Sequence, residues 1–292
     1  MSEKNLQEYL KLANELAAKK DYKQAIINYC KALELQSNSC SIIESIASAY
    51  FCLNNFDKSI EYYKKCLDIN PSYIPALTGL ANLYEVNNKY SLAIEYIEKA
   101  LAKETGNIDL LYKQALLYAE NMEYEKSLNI VNELISSNPD NDKNYYLLGL
   151  NYEKSGDIDL AYDNYHKSVA INPDNFEANL ALGILNYKDN ELEKAKNWLE
   201  KALDLNFNNL KVHLYLGLLH IAFEKFEKAI AEFKYVITFD PKNIEAYNNL
   251  GLAYGFLGWL DEALYEFKIA INLDPENSNV RYALGYIFYK KQ

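Results

Sequence analysis

Three glycines crowd the stretch LGLAYGFLG, Leu250–Gly258: Gly251, Gly255 and Gly258. Glycines at such spacing can form a loop whose backbone N–H groups hold phosphate. That chemistry needs a strand before the loop and a Gly-Lys-Ser/Thr triplet opening the helix after it. Neither is present, and the flanks EAYNN and DEALYEFKIAI carry apolar residues at helical spacing. His213 and His220 stand seven residues apart on one helix face, where two imidazoles could meet a metal or a substrate; His166 is the third histidine. No H-E-x-x-H pair, nucleophile elbow or Walker-type loop accompanies them. Cys30, Cys40, Cys52 and Cys66 all lie in the first quarter and form no C-x-x-C pair, which reads as reduced packing thiols. Carboxylates are abundant, but none is singled out by an apolar setting. These residues predict no enzyme, no cofactor and no metal site.

The formal net charge is −11, and Arg281 is the single arginine. Contact with a phosphate backbone needs clustered positive charge, and arginine is the preferred reader of base edges, so no nucleic-acid partner is expected. An acidic surface also repels anionic membranes. Nowhere do eighteen apolar residues run together, and the opening MSEKNLQEYLKLANELAAKK has no apolar signal core. A cytoplasmic protein without a membrane span is expected.

What must position every one of these residues is a period of 34. Gly149, Gly183, Gly217, Gly251 and Gly285 stand 34 apart, and Ala13, Ala47, Ala81 and Ala115 extend that ladder towards the N-terminus. A second ladder runs Ala25, Ser59, Ala93, Ser127, Ala161, Ala195, Ala229, Ala263. A third runs Ala32, Cys66, Ala100, Leu134, Ser168, Ala202, Val236, Ala270. Pro71, Pro139, Pro173, Pro241 and Pro275 keep the same step. Eight units result, starting near Leu6, Cys40, Ile74, Ile108, Asp142, Phe176, Leu210 and Ile244, with a capping half unit over 278–290. Each unit reads as two amphipathic helices. In the eighth, Tyr247, Leu250, Gly251 and Tyr254 share one face, Gly258 turns the chain, and Ala263, Phe267 and Ala270 follow on the second helix. Asp274–Pro275 closes that helix. Gly251 is then small because a neighbouring helix crosses there, and Gly255 is the odd glycine left without a reason. His213 and His220 fall on core places of the seventh unit, which predicts packed, hydrogen-bonded rings.

Tyr247, Leu250, Gly251, Tyr254, Ala263, Phe267, Ala270 and Pro275 resemble the pattern of the tetratricopeptide repeat (TPR) family, and the resemblance recurs from residue 6 to about 290. Departures are few: Gln114 replaces a leucine, the two histidines replace aromatics, and Ser37, Thr105 and Phe207 stand where proline is usual. The resemblance implies an all-α, right-handed superhelical solenoid, one domain over 1–292, with its first helices lining a concave groove. It also implies a protein or peptide partner rather than a reaction.

In the family the groove is lined from the second, fifth, ninth, twelfth and thirteenth places of each unit. The lysine–asparagine clamp that some members use for acidic chaperone tails is absent: Asn82 is present, but Thr78 stands where lysine is needed. The ninth place begins polar, Asn14, Ser48 and Asn82, then turns apolar: Leu116, Leu150, Ile184, Leu218, Leu252 and Tyr286. The fifth place adds Tyr112, Tyr146, Leu180, Leu214 and Tyr282; the twelfth and thirteenth add Tyr187, Ile221 and Phe256. A contiguous apolar strip of this kind reads as a surface for an apolar segment of a partner, as in a scaffold or adaptor. A chaperone or assembly factor for secreted or membrane components, or a non-catalytic subunit of an enzyme, would use the same strip. In the capping helix, NVRYALGYIFYKKQ, apolar residues surround nearly the whole circumference. Leu284 and Phe288 are expected to pack on the eighth unit. That leaves Val280, Ala283 and Ile287 on the open end of the stack, where a second copy could join tail to tail as a homodimer.

Overall fold

The computed structural model describes residues 2–290. Seventeen α-helices and no strands are found among them. The first helix of each unit is α1 (Ser2–Ala18), α3 (Cys40–Cys52), α5 (Ile74–Val86), α7 (Ile108–Glu120), α9 (Asp142–Ser155), α11 (Phe176–Lys188), α13 (Leu210–Ala222) and α15 (Ile244–Phe256). The second helices are α2 (Tyr22–Leu35), α4 (Phe56–Ile69), α6 (Tyr90–Leu101), α8 (Tyr124–Ser137), α10 (Ile158–Ile171), α12 (Leu192–Leu205), α14 (Phe226–Phe239) and α16 (Leu260–Leu273). The last helix is α17 (Ser278–Lys290).

Two devices cut the chain into these pieces. Asn107, Asn175, Asn209, Asn243 and Asn277 cap first helices, and their side chains accept from backbone N–H groups of the opening turn at 2.8–3.2 Å. Between the helices of each unit the chain passes through positive φ at Lys20, Asn54, Asn88, Met122, Gly156, Asn190, Glu224 and Gly258. These eight positions stand 34 apart. Glycine adopts that conformation freely, as at Gly156 and Gly258, whereas the other residues hold it at a cost.

The residues fall into two compact groups. One runs to Asp140 and takes in Leu150–Asp157; the other comprises Asn141–Gly149 and the chain from Ile158 onward. Within the first, Ser59 and Ser127 occupy places filled elsewhere by alanine. Their hydroxyls donate to the carbonyls of Ala47 (2.8 Å) and Ala115 (2.6 Å), the small residues of their own first helices. Lys113–Glu85 (2.5 Å) and Lys154–Glu120 (3.0 Å) tie successive first helices there.

In the second group the glycine ladder marks helix crossings. A methyl group on Gly149 would lie 2.7 Å from the Tyr165 ring, and one on Gly217 would lie 2.5 Å from the Phe233 ring. One on Gly251 would lie 2.8 Å from the Phe267 ring, and one on Gly183 would lie 2.7 Å from Leu199. Each first helix is therefore notched where the second helix of its own unit crosses. Tyr165, Phe233 and Phe267 are fully buried in these notches, and burying such a ring contributes roughly 1.5–3 kcal/mol.

The third and tenth places of a first helix have a different duty. In α15 they are Ala246 and Ala253, wholly buried against the preceding second helix, α14.

Candidate interaction surface

The residues with reactive side chains are used for packing. His213 is 3% exposed; its Nδ1 lies 2.6 Å from a Glu232 carboxylate oxygen and its Nε2 lies 2.7 Å from the Phe207 carbonyl. Both partners are acceptors, so the ring joins the turn before α13 to α14. It lies against the Tyr235 ring (3.9 Å, 31°) and meets Phe207 edge-on (5.4 Å, 88°). His166 meets Tyr162 and Trp198 edge-on. Burial lowers the proton affinity of both His166 and His220. All four cysteines are free thiols. Cys40 and Cys66 each donate to the other's carbonyl, at 3.5 and 3.3 Å. Burial, followed by the contact with Cys40, pushes the Cys66 thiol up to about 12. Among the described residues no three His, Cys, Asp or Glu side chains are grouped to hold a metal.

The apolar strip is not uniform. In the first group Tyr112, Leu116 and Leu150 are half-buried. In the second, Leu180, Ile184 and Leu214 are buried at 6–8% exposure, covered by neighbouring helices rather than offered to a ligand. Tyr146, Tyr187, Leu218, Ile221 and Leu252 are half-buried, and only Phe256, Tyr282 and Tyr286 are exposed. The exposed members of the strip thus gather between α15 and α17. There a cleft of about 410 Å³ is lined by Leu252, Gly255 and Phe256 from α15 and by Tyr282, Ala283, Tyr286 and Ile287 from α17. Phe256 is propped by Phe226, whose ring stacks on it at 5.0 Å and 19°. Gly255 forms the floor. A methyl group there would come within 3.1 Å of Ile287 Cδ1, so glycine lets α17 settle close. The odd glycine of the sequence is therefore a packing residue beneath the cleft. Two other hollows, about 470 and 530 Å³, are lined mainly by polar and charged side chains such as Asn54, Asn87, Asp159 and Glu191.

The face of α17 that meets the stack is opposite to the one expected. Val280, Ala283 and Ile287 are buried, at 1, 7 and 4% exposure, whereas Phe288 is 47% exposed and Leu284 half-buried. The repeat supplies the reason. Val280 and Ile287 occupy the places of Ala246 and Ala253, which lean on the preceding second helix. Leu284, Gly285 and Phe288 occupy the places of Leu250, Gly251 and Tyr254, which lean on the second helix that follows. No described residue comes within 4 Å of a methyl placed on Gly285.

Five family models match the chain. Those described as TPR repeat cover residues 224–258 and 256–292; those described as Tetratricopeptide repeat cover 9–39, 45–73, 76–108 and 153–219. The chain belongs to the tetratricopeptide repeat family. No curated protein matches it. Among solved structures, a tetratricopeptide repeat protein from Parabacteroides merdae ATCC 43184 is similar, with a TM-score of 0.72 and 14% identity over 86% of this chain and 99% of that one. Also similar is pilF of Pseudomonas aeruginosa, at 0.51 and 22% over 71% and 94% respectively. MamA gives 0.50 and 24% over 57% and 91%. At these identities the likeness shows the fold of this tetratricopeptide repeat protein. No helix among its described residues is long and apolar enough to cross a membrane.

Proposed function

We propose that this chain is a non-catalytic interaction module that holds an apolar segment of a partner protein, and that the cleft between α15 and α17 is its anchor site. The carrying observation is the cleft itself: an apolar floor of Leu252, Gly255, Ala283 and Ile287 flanked by exposed rings of Phe256, Tyr282 and Tyr286. Aromatic walls give large contact area with few rotatable bonds, and the tyrosine hydroxyls can meet a peptide backbone at the rim. Its volume suits one or two large apolar side chains rather than a long buried segment. Leu218 and Ile221 of α13, half-buried along the strip, would extend the contact on one side of the anchor.

Selection from a library of short random peptides tests this reading. Selected peptides are expected to share one or two large apolar residues. Leu252→Asp should weaken them at least about tenfold, a change of about 1.4 kcal/mol, with the melting temperature little changed. Selection of acidic peptides without apolar anchors, or binding indifferent to Leu252→Asp, would overturn it.

A further inference from the structure

Cys40 and Cys66 are brought together by the repeat itself. They hold the first and twenty-seventh places of the second unit. Cys40 opens α3, and Cys66 lies on α4 in its last turn. The same two places meet in the fifth unit, where the Ser168 hydroxyl donates to the Asp142 carbonyl at 2.9 Å. A contact there comes with the helix pair and needs no local rearrangement. Only the second unit puts thiols at both places. The contact between them is reciprocal. Each thiol donates to the other residue's carbonyl, Cys40 Sγ at 3.5 Å and Cys66 Sγ at 3.3 Å, and the two side chains also touch each other. Both sulfurs thus lie between the same two backbone segments, within the short span that a disulfide bridges. Joining them takes side-chain rotation rather than movement of a helix. The other two thiols are engaged elsewhere, Cys30 against the Tyr62 side chain and Cys52 against that of Tyr22.

We propose that Cys40 and Cys66 are a reversible disulfide site, closed by exchange with a low-molecular-weight disulfide and reopened by a thiol. Access sets the order of events. Cys66 is fully buried, and burial keeps it as the thiol, pushed up to about 12. Cys40 is half-buried and is the thiol of the pair that solvent reaches. Its sulfur gives its proton to water and attacks one sulfur of the reagent; the reagent's S–S bond breaks, and one half leaves as a thiol. Cys66 then gives up its proton and attacks the Cys40 sulfur, and the second half leaves as a thiol. Two electrons and two protons pass from the pair to the reagent. The new bond staples the start of α3 to the last turn of α4. It closes residues 40–66 into a ring and so restricts the unfolded chain.

The test treats the 292-residue chain with excess oxidised glutathione. Acid quenching, alkylation of the remaining thiols in denaturant, digestion and mass spectrometry follow. The expected product is a pair of peptides joined from Cys40 to Cys66. Cys52, which is exposed, should carry a glutathione adduct and so report that the reagent acted. The oxidised chain should melt roughly 5–10 °C higher, and dithiothreitol should restore the thiols and the original melt. Cys66→Ala introduces the residue found at the same place in four other units, Ala32, Ala100, Ala202 and Ala270, so the helices are retained. In that variant Cys40 should stop at the glutathione adduct, and the rise in melting temperature should be lost. Recovery of Cys66 as a free thiol from the oxidised wild type, or a joined pair other than Cys40–Cys66 as the main product, would overturn the proposal. So would a rise in melting temperature that survives Cys66→Ala.

Discussion

Two helices of the repeat, α1 and α17, present different residues to water. In every unit from the second onward, the third and tenth places of the first helix are buried. In α1 those places are Glu8 and Glu15, both exposed. In α17 the places that lean on a following helix keep the residues of an interior unit, with Gly285 and Phe288 where α15 has Gly251 and Tyr254. α1 carries charge where interior units carry apolar residues, and α17 keeps the interior pattern. The difference shows that a repeat position has no fixed chemistry of its own. Its residue type is set by which neighbour it faces.

The sharpest way to break this comparison is to remove equivalent rings. Phe267 is fully buried in the notch of α15, so Phe267→Ala should cost about 3–5 kcal/mol. Phe288→Ala, measured by urea unfolding of the 292-residue chain, should change stability by about 0.5 kcal/mol or less. Equal losses would show that α17 is covered on both faces. A smaller contrast comes from overfilling. Gly217→Leu drives a side chain into Phe233, which a methyl would already approach at 2.5 Å, and should lower stability by roughly 1–3 kcal/mol. A thermal melt unchanged by that substitution would refute the crossing. The smallest effect is a reversal of sign. Gly251→Ala should destabilise, because the added methyl meets the Phe267 ring at 2.8 Å. Gly285→Ala meets nothing and should stabilise the 292-residue chain by about 0.4–1 kcal/mol, as alanine does in an open helix position. The same sign at both positions would remove the distinction between covered and bare helices.

Most of the fold was legible because a period of 34 is a property of the sequence alone. The expected unit starts at Cys40, Ile74, Ile108, Asp142, Phe176, Leu210 and Ile244 are the first residues of α3, α5, α7, α9, α11, α13 and α15, and 278–290 is α17. The asparagine caps at Asn107, Asn175, Asn209, Asn243 and Asn277 keep the same step and could have been read with it. The surface was less legible. A helix that is apolar all round gives no amphipathic phase, so α17 was oriented wrongly; placing Val280 on the rung of Ala246 gives the observed face. The reason for Gly255 lies in Ile287, on another helix, and no local pattern contains it. The closure of Leu180, Ile184 and Leu214 likewise depends on how closely successive helices approach, which spacing along the chain does not encode.

The turn ladder has a practical consequence. Six of its eight positions hold a side chain in the left-handed region: Lys20, Asn54, Asn88, Met122, Asn190 and Glu224. Asparagine tolerates that geometry through its short polar side chain, but lysine, methionine and glutamate have no such relief. The neighbouring helices must therefore hold those three bends in place. They form an editable margin, points where the chain could be hardened by a single glycine while the aromatic cleft keeps every atom it now has.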